Sequence, residues 1–117
     1  MTIERIGLAA RYCDAAIFNG IAFLAGHVAE KTEGASLAEQ TEEVLALLED
    51  TLAQAGSRKE RILSVQIFLT DISKIGEMNA VWDKWVAKGH SPARATVEAK
   101  LASPGYAIEI TAVAAKG

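Results

Sequence analysis

The sequence predicts an α+β domain in which a β-sheet carries two helices on one face. Segments in which polar and apolar residues alternate, as in half-buried strands, are separated by two segments with apolar residues at helical spacing. Half of the 117 residues are hydrophobic, which is enough for one core of this size. We therefore expect a single domain over residues 1–117.

The first third of the chain is predicted to be a short strand followed by a β-hairpin. The short strand covers residues 3–6, and the hairpin strands cover residues 11–18 and 21–28. Asn19-Gly20 separates the two hairpin strands, and both residues tolerate the positive φ that a two-residue turn requires. This pair is the strongest local signal in the region.

A first helix is predicted to begin at Ser36. Ser36 and Glu39 match the capping box, in which the two side chains satisfy free backbone donors at a helix start. Gly56 is well placed to end the helix. The apolar face consists of Leu37, Thr41, Val44, Leu45, Leu48 and Leu52. We interpret the acidic residues on the other faces as solvated surface rather than as a metal site.

The middle of the chain predicts a third main strand, placed centrally in the sheet, and a second helix. The strand covers residues 62–70, with Leu63, Val65, Ile67 and Leu69 on one face. The helix begins near Ser73 and ends before Gly89 and Pro92. Its apolar stripe consists of Ile75, Met78, Trp82, Trp85 and Val86. We interpret the two tryptophans as core and interface residues, because each ring buries a large apolar area.

The last two strands, residues 92–101 and 108–114, are predicted to form a hairpin joined through Pro104-Gly105. Alternation on the first strand directs Ala95, Val97, Ala99 and Leu101 toward the helices. It leaves Arg94, Thr96, Glu98 and Lys100 on the opposite face. On the second strand, Glu109 alternates with apolar neighbours in the same way. The sequence therefore predicts an arginine, suited to anions, beside a carboxylate suited to acid–base chemistry.

Composition argues against several classes of function. The net charge is −3 and the basic residues are scattered, so the sequence offers no stripe for a nucleic acid backbone. A single cysteine, Cys13, and two histidines, His27 and His90, do not suggest a disulfide or a metal site. No apolar run approaches the roughly 20 residues of a membrane span, and no export signal is recognisable. We expect a cytoplasmic protein without a metal site.

The sheet face away from the helices is predicted to be an interface. Phe18 or Phe23, together with Val113, would lie on this face among polar residues. Two helices can cover only one face, so the second is expected to pack on another copy of the chain. We therefore expect a homo-oligomer with its functional sites near the interfaces between subunits.

The order of elements and four short segments resemble the RidA family, also called YjgF. The segments are residues 25–27 (Ala-Gly-His), 78–82 (Met-Asn-Ala-Val-Trp), 92–98 (Pro-Ala-Arg-Ala-Thr-Val-Glu) and 108–114 (Ile-Glu-Ile-Thr-Ala-Val-Ala). The resemblance covers almost the whole chain. Its specific parts are the Pro-Ala-Arg segment and the closing strand that contains Glu109.

The resemblance implies a chorismate-mutase-like fold with a mixed sheet, assembled as a homotrimer with three clefts between subunits. In this family such clefts hydrolyse reactive enamines and imines, such as 2-aminoacrylate, to a 2-keto acid and ammonia. The reaction implied by this resemblance would require no cofactor. By this resemblance Arg94 grips the substrate carboxylate and Glu109 positions water, so these two are the expected catalytic residues. Tyr12, Gly26, Asn79 and Thr96 are expected to line the same cleft and bind the imino or keto acid.

The chain also departs from the family pattern. Thr96 stands where the best-known members have a cysteine, and residues 25–27 read Ala-Gly-His rather than Ser-Gly-Gln. The extra imidazole of His27 is expected to influence which substrate fits.

Alternatives remain for the site and for the function. Arg94 could form a salt bridge between subunits, with Glu98 or Glu109, and Glu109 could be an ordinary solvated or paired carboxylate. Besides a deaminase, the sequence is compatible with a non-catalytic binder of small carboxylates and, against its charge, with an endoribonuclease-like activity.

Overall fold

The computed structural model describes residues 2–117, which form one six-stranded sheet and two α-helices. The strands are β1 (Glu4–Ile6), β2 (Ala15–Phe18), β3 (Ile21–Val28), β4 (Ile62–Leu69), β5 (Ala93–Glu98) and β6 (Ile108–Ala115). The helices are α1 (Leu37–Gln54) and α2 (Ile75–Trp85). The strand order is β1-β2-β3-β6-β4-β5, with β4 and β5 parallel and the other pairs antiparallel. The predicted α+β class, a mixed sheet with two helices on one face, is confirmed.

The first hairpin forms as predicted, around Asn19 and Gly20. Their φ angles of 56° and 79° place both residues in the left-handed region that a two-residue hairpin turn needs. The second hairpin strand has the predicted bounds, but β2 begins only at Ala15. Residues 11–14 instead belong to the loop that follows β1.

Helix α1 begins and ends at the predicted residues. The Ser36 hydroxyl accepts a hydrogen bond from the Glu39 amide, and Gly56 follows the helix with a φ of 78°. Beyond Gly56, the Ser57 amide donates to the Leu52 carbonyl, which closes a Schellman motif. All six residues of the predicted apolar face are buried.

Strand β4 departs from its predicted alternation at one residue. A bulge at Leu63 interrupts the pairing of β4 with β6, so Ile62 enters the core and Leu63 is 49% exposed. Val65, Ile67 and Leu69 are buried as predicted. β4 lies between β6 and β5 and is not one of the two middle strands of the sheet.

The predicted hairpin of the last two strands is wrong. Helix α2 carries the chain from β4 back across the sheet, and β5 then pairs parallel to β4 at the sheet edge. Parallel neighbours require such a crossover, whereas a tight turn joins only antiparallel strands. β6 inserts between β3 and β4, so β4 separates it from β5.

The predicted orientation of β5 is wrong as well. Neighbouring residues in register point to the same face of a sheet. Arg94 is in register with Val65 and Thr96 with Ile67, both of which face the helices. Ala95 and Val97 therefore lie on the open face, and Arg94, Thr96 and Glu98 lie on the helix face. Most residues of edge strand β5 are exposed on both faces of the sheet, so the alternation of polar and apolar residues does not identify the face that packs on the helices.

Neither helix among the described residues is long and apolar enough to cross a membrane.

Candidate functional site

Arg94 lies near the start of edge strand β5 and reaches toward helix α2. Its guanidinium carbon is 5.3 Å from the centroid of the Trp82 ring, within the range of a cation–π contact. Trp82 is a core residue, only 6% exposed, whereas Arg94 is exposed. A rigid aromatic face therefore supports a charged group that remains accessible.

Among residues 2–117, no carboxylate forms a salt bridge with the guanidinium of Arg94. The one salt bridge among residues 2–117 joins Lys116 to Glu4. Glu98 instead accepts a hydrogen bond from the Ile72 amide at 3.1 Å. Arg94 therefore forms no salt bridge with Glu98 or Glu109 of its own chain. Its positive charge is available to a carboxylate of another subunit or to an anionic ligand.

Two buried oxygen atoms near Arg94 also lack partners. The Thr96 hydroxyl oxygen and the Asn79 side-chain carbonyl oxygen are both inaccessible to solvent, and neither makes a hydrogen bond. Asn79 lies one turn before Trp82 on α2, and Thr96 lies two residues after Arg94 on the helix face of β5. Buried polar groups are nearly always hydrogen-bonded, so these two atoms are exceptions that mark this part of the molecule. Contact with a ligand would require the side chains to move and expose them.

Glu109 is positioned by a glycine. It is half-buried on β6, in register with Phe68 and Val28, which places its side chain on the open face. Its carboxylate lies directly over the α-carbon of Gly26, where a Cβ atom would collide with it. Gly26 belongs to a bulge in β3 between Leu24 and His27. Gly26 and Glu109, both predicted site residues, are thus brought together.

Tyr12 is carried by the loop between β1 and β2 and is 63% exposed. This loop is fixed to β3 beside the bulge, because the Ala25 amide donates to the Asp14 carbonyl at 2.9 Å. Tyr12 therefore belongs to the same region of the molecule as Gly26 and Glu109.

The predicted site residues fall into two groups. We call Asn79, Trp82, Arg94 and Thr96 the arginine half-site, and Tyr12, Gly26 and Glu109 the glutamate half-site. Because Arg94 is in register with a helix-facing residue and Glu109 with an open-face residue, the two charged groups point to opposite faces of one sheet. The predicted juxtaposition of Arg94 and Glu109 within one chain is therefore wrong. Within one chain the two half-sites therefore do not meet.

Both ring nitrogens of His27 form hydrogen bonds with other residues of the protein. Its Nδ1–H donates to the Ala25 carbonyl oxygen at 2.6 Å, which leaves Nε2 to accept from the Thr51 hydroxyl at 2.8 Å. Thr51 belongs to α1, so the imidazole ties the β3 bulge to that helix on the face away from Glu109. These bonds assign His27 to holding the bulge that contains Gly26.

Trp82, predicted from its spacing to be a core and interface residue, also provides the ring that supports Arg94. The sequence contains a pattern that could have indicated this contact. Trp82 follows Asn79 by one helical turn on α2, and α2 is the element before β5, which carries Arg94.

The open face contains a shallow groove of about 410 Å³. The groove is lined by residues of β4, β5 and β6, namely Ser64, Val65, Gln66, Ala93, Arg94, Ala95, Thr111, Ala112 and Val113. No group of three His, Cys, Asp or Glu side chains within residues 2–117 is arranged to hold a metal ion.

Comparisons with known proteins agree with this architecture. The family model described as Endoribonuclease L-PSP matches residues 2–116. A RutC family protein of Haemophilus influenzae is 46% identical over 114 residues, covering 97% of this chain and 98% of that protein. The RutC family protein YoaB of Escherichia coli K12 is 44% identical over 115 residues, covering 98% and 99%.

A solved structure has the same fold over the full length. The crystal structure of NMB1025 from Neisseria meningitidis, a member of the YjgF protein family, superposes with a TM-score of 0.96 at 46% identity. It covers 100% of this chain and 97% of the other. The chain belongs to the RidA (YjgF) family.

Proposed function

We propose that this protein hydrolyses reactive enamines and imines of 2-keto acids, releasing the keto acid and ammonia. The observation that carries the proposal is the unpaired guanidinium of Arg94. Its planar set of donors matches a carboxylate and stays charged near neutral pH. Membership of the RidA family supports the reaction type.

Each residue has a definite task in the proposed reaction. Arg94 binds the substrate carboxylate, so that the neighbouring C=N carbon is held in a fixed orientation. Glu109 accepts a proton from a water molecule as the water oxygen attacks that carbon. That proton passes to the imine nitrogen, which gives a carbinolamine. Glu109 then takes the carbinolamine hydroxyl proton as the C=O bond forms and the C–N bond breaks, and this second proton passes to the departing nitrogen, so that ammonia leaves. An imine is already electrophilic, so this route calls for no metal or cofactor.

We further propose that the site is completed by a second copy, in a homotrimer with three clefts. The arginine half-site of one subunit would meet the glutamate half-site of its neighbour. The opposite orientations of Arg94 and Glu109 within one chain support this arrangement. So does the open face, where Phe18 and Phe23 are 43% and 52% exposed.

The activity is tested with 2-aminoacrylate generated from serine by a pyridoxal-phosphate dehydratase, with pyruvate and ammonia release followed by stopped flow. We expect the wild type to accelerate release and Arg94→Ala and Glu109→Gln to abolish the acceleration. Arg58→Ala, an exposed arginine outside both half-sites, serves as the control. A wild-type rate equal to that of buffer would refute the deaminase.

Shared sites are tested by mixing two inactive variants. When Arg94→Ala and Glu109→Gln chains are co-expressed, about one cleft in four receives both intact residues from different copies. Activity should return to about a quarter of the wild-type value. No recovery in verified mixed oligomers would show that Arg94 and Glu109 do not act across an interface.

A second candidate is a binding protein for small carboxylates that does not turn them over. The unpaired Arg94 favours it equally, because capture of a carboxylate needs only the arginine half-site. Binding of 2-oxobutanoate that Arg94→Ala removes, without any deaminase activity, would favour this candidate.

The description of the matching family model raises RNA cleavage as a third candidate. The net charge of −3 opposes RNA binding. Incubation of labelled RNA with wild type and Glu109→Gln tests it, and we expect no cleavage.

A further inference from the structure

The two tryptophans of α2 form a continuous stack that ends at Arg94. The ring centroids of Trp82 and Trp85 are 5.5 Å apart with the planes tilted by 47°. The Arg94 guanidinium lies over Trp82 at 5.3 Å, and the Lys59 ammonium lies over Trp85 at 5.2 Å. The order along the stack is Lys59, Trp85, Trp82, Arg94.

The far end of this stack is fixed by hydrogen bonds. The Trp85 indole N–H donates to Glu49 Oε1 on α1 at 2.6 Å. Lys59 donates to the Trp85 carbonyl oxygen at 2.7 Å. Trp85 is therefore held by its indole nitrogen, by its main chain and by a cation over its ring. Trp82, enclosed between Trp85 and the core, has little freedom to rotate.

A fixed ring matters because Arg94 has few other restraints. It is an exposed residue on an edge strand and makes no salt bridge. A free arginine side chain samples many rotamers, and ordering it on binding costs free energy that weakens the complex. A ring face offers attraction without neutralising the charge, so the N–H edge remains available to a carboxylate.

We propose that Trp82 is a positioning residue for Arg94, and that Trp85, held by Glu49 and Lys59, fixes the Trp82 ring. The stack orients the guanidinium before the ligand arrives. This inference rests on the proposed function in one respect, because it takes the ligand of Arg94 to be a carboxylate.

The geometry is tested first without a ligand, by NMR of the wild type. A guanidinium over an indole face experiences its ring current, so the Arg94 Hδ and Hε resonances should be shifted upfield. The shift should persist in Trp82→Phe and disappear in Trp82→Leu. Arg94 resonances that are the same in wild type and Trp82→Leu would overturn the proposal, whatever the protein binds.

The consequence for binding is tested by titration with 2-oxobutanoate. We expect Trp82→Leu to weaken binding about 3- to 10-fold and Trp82→Phe to restore most of the affinity, as a cation–π contribution of ordinary size predicts. Glu49→Leu, which removes the acceptor for Trp85, should weaken binding by a smaller factor. In the deaminase assay, Trp82→Leu should raise KM by a larger factor than it lowers kcat.

A control separates positioning from general loss of stability. Ile17→Ala removes a core side chain on β2, far along the sheet from β5. It should lower the denaturation midpoint while leaving the Kd unchanged. Equal Kd values for wild type and Trp82→Leu would overturn the inference. A wild type that displays the ring-current shift but neither binds a keto acid nor accelerates imine hydrolysis would refute the proposed function and keep the positioning role.

Discussion

Arg94 rests on an aromatic ring where a surface arginine would commonly meet a carboxylate. This choice of partner preserves the charge, since an ion pair would have to be broken before an anion could bind. The nearest carboxylate on the same strand, that of Glu98, is occupied by the Ile72 amide. At the scale of single residues, the Arg94 guanidinium therefore stays available to an anion, because the Glu98 carboxylate that could pair with it is bound to the Ile72 amide.

Thr96 offers a prediction about stability and binding together. Its buried hydroxyl oxygen has no partner, so Thr96→Val should raise the free energy of unfolding by about 1 kcal/mol. If the hydroxyl binds ligand, the same variant should weaken 2-oxobutanoate binding up to about tenfold. Urea denaturation and calorimetric titration measure the two effects, with Thr96→Ser as the control that retains the hydroxyl. A lower stability of Thr96→Val would contradict the prediction.

Gly26 leads to a prediction about activity. A methyl group at this position would collide with the Glu109 carboxylate and displace it. Gly26→Ala should lower kcat/KM for the imine about 100-fold, because small displacements of a catalytic group have effects of this order. Gly76→Ala, where nothing lies within 4 Å of the added atom, should retain full activity in the same assay. Unchanged activity of Gly26→Ala would mean that the position of Glu109 is not critical.

At the scale of elements, short polar contacts fix the loops that lead into α1. Glu43 on this helix accepts hydrogen bonds from the Thr32 hydroxyl at 2.7 Å and from the Thr32 and Lys31 amides at 2.8 and 3.1 Å. Desolvation acts to raise the pKa of Glu43, but these bonds and the Lys31 charge outweigh it, so the pKa lies below its usual 4.5.

This pKa predicts a pH dependence of stability. The contribution of ionised Glu43 is fully present above the unfolded pKa near 4.5 and is lost as the pH falls through the lower, folded pKa. Wild type should therefore be more stable than Glu43→Gln at neutral pH, and the difference should shrink in more acidic solution. Urea denaturation between about pH 7 and about pH 3 measures it, with Glu42→Gln as the control. A difference that grows on acidification would contradict the assignment.

At the scale of the whole molecule, one sheet separates the two half-sites. A covered face and an open face are unavoidable when six strands carry only two helices. The open face exposes Phe18 and Phe23 on β2 and β3, and the groove over β4, β5 and β6 mixes small apolar with polar residues. It therefore resembles an interface more than a solvated surface.

The open face leads to a prediction about assembly. Phe23 is 52% exposed on β3, and we expect Phe23→Glu to place a charge within the subunit interface and to give monomers. Deaminase activity should be lost with assembly, because the half-sites no longer meet. Ala46→Glu, on the exposed side of α1, should leave the oligomer intact. Sedimentation velocity measures the outcome, and an unchanged mass for Phe23→Glu would contradict this role of the face.

Local chemistry within the sequence was sufficient to determine much of this protein. The Asn19-Gly20 turn, the Ser36 cap, the Gly56 terminus and the buried face of α1 all depend on contacts between residues a few positions apart. The family, and with it Arg94 and Glu109 as candidates, followed from short segments of the chain. Only the tertiary structure decided which strands are neighbours, because the pairing of β5 with β4 depends on how α2 crosses the sheet. That crossover also decided that Arg94 faces Trp82 and that Glu109 faces away, since an edge strand carries no pattern that distinguishes its two sides.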